Sequence, residues 1–219
     1  LFGQNLLFPN VGQNLNLSGG LIPLATFCFV ILVLAGSEIY LNQKQQKKLS
    51  WFYLVSGLLT LTGLVTALWL LTTTQKPLLL GFGTAWQIAV ESFKNWRLFL
   101  LGAGPSNFLE AFSQFRSSAY NLTPLWSVRF VSSANYYFHL LTTVGVLGLI
   151  SFCWLIFKVI KTQNKLLSQQ EKEQNLPIFL TLLAIFLALA LIFHNFLILF
   201  TLFLFLSFFS RILQPHQKV

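Results

Sequence analysis

Methionine is absent from the 219-residue chain, acidic residues number only five, and charged residues of both signs make up 9%. Soluble domains carry about a quarter charged residues, so a large water-facing domain is excluded. The cysteines, Cys28 and Cys153, both fall in apolar runs. They read as small buried hydrophobes rather than as a disulfide or a metal site. The chain begins at Leu1, which reads as a piece of a longer protein or a processed one. Residues 1–20 lack a basic n-region and a small-residue cleavage site, so they do not form a signal peptide.

What is present is apolar surface. Hydrophobic residues are 55% of the chain and mean hydropathy is +0.71. A bilayer crossing needs about 20 apolar residues, and residues 21–41, 49–71 and 136–157 each supply one. The last apolar stretch, 176–213, is too long for one comfortable crossing and is interrupted by His194-Asn195. It reads as two short helices joined at that pair, with one long tilted helix as the alternative. The fold class is therefore an all-α integral membrane protein of about five transmembrane helices plus a large helical loop. Three segments follow: 1–71 with two crossings, 72–135 as the loop, and 136–219 with three crossings.

The net charge of +9 would suggest a nucleic-acid partner on a soluble protein, but here the cations flank apolar spans. Lys44, Lys47, Lys48, Lys158, Lys161, Lys165, Lys172, Arg211 and Lys218 all fall on one side of a five-crossing arrangement. Lys76, Lys94, Arg97, Arg116 and Arg129 fall on the other, spread over a longer loop. The positive-inside rule then places residues 1–20, loop 72–135 and the His194-Asn195 turn outside. No charged residue lies near the middle of a span, and Glu38 sits at the inner end of the first. Ion-coupled carriers usually place ionisable groups at mid-membrane, so transport is disfavoured.

Loop 72–135 is too apolar for a linker. Residues 84–101 read as a helix, with Thr84 and Gln87 as a capping box and Gly102 as its stop. Trp86, Ala89, Val90 and Phe93 form its apolar face; Gln87, Glu91, Lys94 and Asn95 form the other. Such a helix can lie in the membrane interface or pack on the spans. The following stretch, LGAGPSNFLEAFSQFR, is not a P-loop, for no Lys-Ser/Thr pair follows the glycines. Nor is it a dinucleotide fingerprint, for the third glycine is missing. It reads as a glycine-hinged turn, Gly102 and Gly104, into a second helix capped by Ser106 or Asn107. The apolar face of that helix is Phe108, Leu109, Phe112 and Phe115. Backbone N–H groups at such a helix start can bind an anion.

Arg116 and Arg129 flank SSAYNLTPLWSV, which carries Tyr120 and Trp126. Guanidinium forks match phosphate oxygens, and aromatics with amides suit a sugar. Two arginines on an outer loop near the bilayer point to a lipid-linked phosphate; solvated surface charges are the alternative.

The ordered set resembles the O-antigen ligase and O-antigen polymerase family of bacterial membrane glycosyltransferases. Its parts are a Trp-led amphipathic helix from Trp86, the Gly102/Gly104 turn leading to Phe108, a polar loop with arginines, and Asn135 starting a span that carries Gly145 and Gly148. The His194-Asn195 break between the last two spans is also similar. The resemblance implies that this chain is the C-terminal part of a larger polytopic bundle in the bacterial inner membrane. It implies transfer of glycan from an undecaprenyl-diphosphate carrier to an acceptor hydroxyl on a glycan or lipid-linked acceptor, at the outer face, without metal or nucleotide cofactor. It also implies arginines on the diphosphate and a histidine base. The family's usual His before the Asn is Ala134 here, and its usual Arg before the Trp is replaced by Gly81-Phe82-Gly83-Thr84. The candidates that remain are Arg116 and Arg129 for the diphosphate and His139, one turn past Asn135, as base or as a satisfied structural histidine. Gly102, Gly104, Ser106, Asn107, Trp126 and Asn135 would line the substrate. A non-catalytic protein of the same fold, a transporter part or scaffold, is the competing reading.

Overall fold

The computed structural model describes residues 20–46, 51–73, 78–165 and 169–212. These residues form helices and turns, in the order α1 (Leu21–Lys44), α2 (Trp51–Thr73), α3 (Phe82–Ser92), α4 (Trp96–Leu101), α5 (Phe108–Phe115), a 3-10 turn (Ser118–Leu122), α6 (Tyr136–Thr143), α7 (Gly145–Lys165), α8 (Gln169–Leu191) and α9 (Phe196–Ile212). Four of them, α1, α2, α7 and the 172–191 portion of α8, are long and apolar enough to cross a membrane, and α9 is a shorter apolar helix. The chain is thus an all-α protein with candidate membrane-spanning helices.

Two departures from the expected spans have local causes. The stretch beginning at Tyr136 is not one helix. It breaks at Val144, and Gly145 adopts φ +74°, a conformation costly for any residue with a Cβ. The helix expected over 84–101 begins two residues earlier, at Phe82, and divides at 93–95, where Asn95 caps α4 by accepting from the Arg97 N–H. At the His194-Asn195 pair the chain does stop: α8 ends at Leu191, and the Asn195 side chain accepts from the Ile198 N–H to start α9.

The helices fall into two compact units. The first holds α1, α2, the part of α8 through Ile185 and the chain from Asn195. In it α1 and α2 pair antiparallel along a seam of small residues. A Cβ on Gly57 would sit 3.7 Å from Ala35 Cβ, and one on Gly63 would sit 3.2 Å from Cys28 Sγ. Small side chains let apolar helices approach closely in lipid, where burial from water offers no drive. Cys28 is buried there as expected, whereas Cys153 on α7 is exposed, so only one of the pair behaves as a core hydrophobe. Lys44 at the end of α1 pairs with Glu173 of α8 at 2.7 Å. Pro177 is tolerated within α8, and the Thr181 hydroxyl donates to its carbonyl.

The second unit holds residues 78–165 and 186–194. Its core is Leu80, Ala85, Ile88, Phe108, Phe112, Tyr120 and Phe130, with Phe115, Leu125, Val128, Ala134 and Phe138 packed on it. On α3 the buried stripe is Ala85, Ile88, Ala89 and Ser92, one position away from the expected Trp86 stripe. The small side chains let α5 and α6 come close, and Trp86, 50% exposed, lies at the edge with its ring 5.5 Å from Phe138. On α5, Ala111 takes the inward place expected of Leu109, which is exposed.

Candidate functional site

The glycine turn is a packing device. Gly102 ends α4 at φ +70° and its N–H donates to Leu98 O. The next two N–H groups, of Ala103 and Gly104, donate to the carbonyls of Thr142 and Thr143, which the break after α6 leaves without helical partners. The contact is backbone on backbone. A Cβ on Gly102 would run into the Thr143 carbonyl, and one on Gly145 into the Leu100 carbonyl. The N–H groups of Ala103, Gly104 and Asn107 are therefore bonded to carbonyls. Ser106 holds φ +85°, and the Asn107 amide reaches back to Ala103 O at 3.0 Å rather than capping α5. This geometry explains Gly102, Gly104 and Asn107 without a ligand.

Asn135 is similarly engaged. Its Oδ1 accepts from the Phe138 N–H at 2.8 Å, capping α6, and its Nδ2 donates to Ala190 O at 2.9 Å. One buried side chain thus fixes both the start of α6 and the end of α8.

The two arginines differ. Arg116 follows α5 and lies over the Phe112 and Tyr120 rings, 5.8 and 5.7 Å from their centroids, while its Nη1 donates to Trp126 O at 3.0 Å. It closes the 117–126 segment against α5. Burial raises the Tyr120 phenol above its ordinary value, and Arg116 works against that. Removing Arg116 is expected to loosen this segment by about 1–2 kcal/mol, from the ring contact and the carbonyl bond together. Faster proteolysis between residues 117 and 128 in Arg116→Ala, only partly restored in Arg116→Lys, would show it; equal rates would remove the clasp. Arg129 is exposed and forms no ion pair among the described residues. Trp126 is 60% exposed and also stands free of the core.

His139 lies one turn into α6. Its ring sits 4.0 Å from that of His194, centroid to centroid, at a 45° tilt. Phe108 is 5.4 Å from His139, and Tyr136 is 5.3 Å from His194. Tyr136 and Tyr137 in turn pack on Phe152, which meets Phe186. The two imidazoles are therefore flanked by aromatic rings, and among the described residues the Nδ1 of each is buried without a hydrogen-bond partner. Both lie outside the four candidate crossing helices. Burial pushes His139 down to about 3, with His194 adding to the shift, and burial lowers His194 as well. Both shifts favour the neutral imidazole. Sequence reading singled out His139 and the His194-Asn195 break separately; nothing in local spacing joins residues so far apart.

Among the described residues no group of three or more His, Cys, Asp or Glu is placed to hold a metal ion. No family model, no curated protein and no solved structure matches this chain.

Proposed function

We propose that the chain is part of a membrane glycosyltransferase of the O-antigen ligase/polymerase type. It moves glycan from undecaprenyl diphosphate to an acceptor hydroxyl at the outer face of the bacterial inner membrane, with loop 72–135 on that face. The observation that carries the reading is the pairing, on one folded unit, of an exposed arginine without an ion-pair partner among the described residues and a half-buried imidazole pair in ring contact. In the reaction the acceptor oxygen bonds to the anomeric carbon. The bond from that carbon to the phosphate oxygen breaks, and the electron pair leaves on the diphosphate. Arg129 stabilises the charge that grows there. His139 takes the hydroxyl proton.

The test is loss of purified undecaprenyl-diphosphate oligosaccharide, with candidate acceptors present, in wild type against Arg129→Ala. A loss of rate on the order of 100- to 1,000-fold is expected, as for removal of one donor to a developing anion, with an unchanged melting temperature because Arg129 is exposed. Full activity in the variant would remove Arg129 from the mechanism. A second reading, a non-catalytic protein of the same fold, is supported by the packing roles of Gly102, Gly104 and Asn135 and by Ala134 in place of the family's histidine. Absence of donor turnover by folded wild type across several donors would favour it.

A further inference from the structure

The chain has three histidines. His216 lies outside the described residues, and the other two are in ring contact although one belongs to α6 and the other to the connection after α8. A functional histidine usually has one ring nitrogen fixed by a carbonyl or carboxylate, which sets its tautomer and steadies the imidazolium when it forms. Among the described residues, His139 has no such partner at Nδ1, and neither has His194. Among the described residues, the titratable group that acts on His139 is His194. The other ring contacts among the described residues are Phe108 on α5 and, beside His194, the Tyr136 ring on α6. A proton arriving on His139 therefore has one other basic nitrogen-bearing group within ring contact to share it. Two imidazoles so close can share one proton but take up two only with difficulty.

We propose that His139 and His194 act as one base, with His194 the positioning residue that holds the His139 ring by contact and shares the proton it takes up. This rests on the glycosyltransferase reading. The step balances within that reading. The acceptor O–H bond breaks, and its proton goes to an imidazole nitrogen and is held between the two rings. The new bond from oxygen to the anomeric carbon forms as the diphosphate leaves with its electron pair. The proton is then released to solvent or to the departing diphosphate.

The experiment is turnover of undecaprenyl-diphosphate oligosaccharide by the full chain. Wild type is compared with His139→Ala, His194→Ala, the double variant and His194→Phe, each with and without added imidazole. His194→Phe keeps a ring against His139 and Tyr136 but removes the nitrogens, so it separates packing from chemistry. Its melting temperature reports the fold. Each single alanine variant and His194→Phe should lose on the order of 100-fold or more. The double variant should be no worse than either single, because the two rings act as a unit. Added imidazole should restore part of the His194→Ala rate in proportion to its neutral fraction as pH rises. A wild-type rate in His194→Phe, with His139→Ala still inactive, would overturn the pair and leave the glycosyltransferase reading standing. Multiplying losses in the double variant would also overturn it. No turnover by wild type would bring down both.

Discussion

Gly102→Ala is expected to destabilise the protein by about 3 kcal/mol or more, the sum of a left-handed conformation that disfavours any Cβ and a collision with backbone that cannot rotate away. The added methyl would meet the Thr143 carbonyl, at the place where Ala103 and Gly104 donate to Thr142 and Thr143. Relief would require pulling the turn off the α6–α7 break, which would strand those carbonyls. Gly145→Ala should behave alike, since its methyl would meet the Leu100 carbonyl at φ +74°. Gly36→Ala and Gly83→Ala are the controls. Nothing lies within 4 Å of a Cβ at either, and both are helical, so they should be neutral or stabilising by up to about 1 kcal/mol. Thermal unfolding of detergent-purified protein, followed by the loss of monodisperse material, separates the two classes. A Gly102→Ala midpoint equal to wild type would mean that the seam does not exist.

Phe112→Ala is expected to cost about 3–5 kcal/mol, the range for removing a fully buried aromatic. Phe112 is 0% exposed. Its ring meets Tyr120 at 5.5 Å and Phe130 at 5.7 Å, both near edge-on, and Arg116 lies above it. The cavity would therefore open between three segments of the loop at once, and Arg116 would lose part of its seat. Phe112→Leu should cost less, about 1–2 kcal/mol, because most of the volume stays. Melting midpoints ordered wild type, Leu, Ala would establish Phe112 as the centre of the loop core. An Ala variant as stable as wild type would show that the loop does not fold around it.

Much of the fold was legible because membrane helices declare themselves by unbroken apolar length. The first two crossings, the helix at residue 108, the Gly102 stop, the Asn135 start and the break before Phe196 all come from local signals that tertiary contacts did not override. What local signals missed was rotation and breakage. The α3 stripe is set by Ala85, Ala89 and Ser92 because small residues decide how near a neighbouring helix can come, whereas a hydrophobicity pattern ranks Trp86 first. The division of the 136–165 segment follows from what Gly145 must fit against, and that is a loop residue distant in sequence. The site was legible in parts. His139 and the arginines stood out by chemistry. That Arg116 is occupied by Trp126 and two rings, that Asn135 holds the end of α8, and that His139 has a second imidazole beside it are all consequences of contacts between separated segments.

The Asn135–Ala190 bond joins residues 55 positions apart, and the His139–His194 contact spans the same interval of chain. Synthesis runs from the amino end, and a contact cannot form before its later member exists. The cluster around Phe108 and Phe112 draws only on residues through Phe138 and can assemble early. The seam at Gly102 must wait for Thr143, and the histidine pair must wait until α8 is complete. A nascent chain stalled between Thr143 and His194 therefore displays a built loop with one solitary imidazole. The paired rings come into being only when the chain through His194 has left the ribosome.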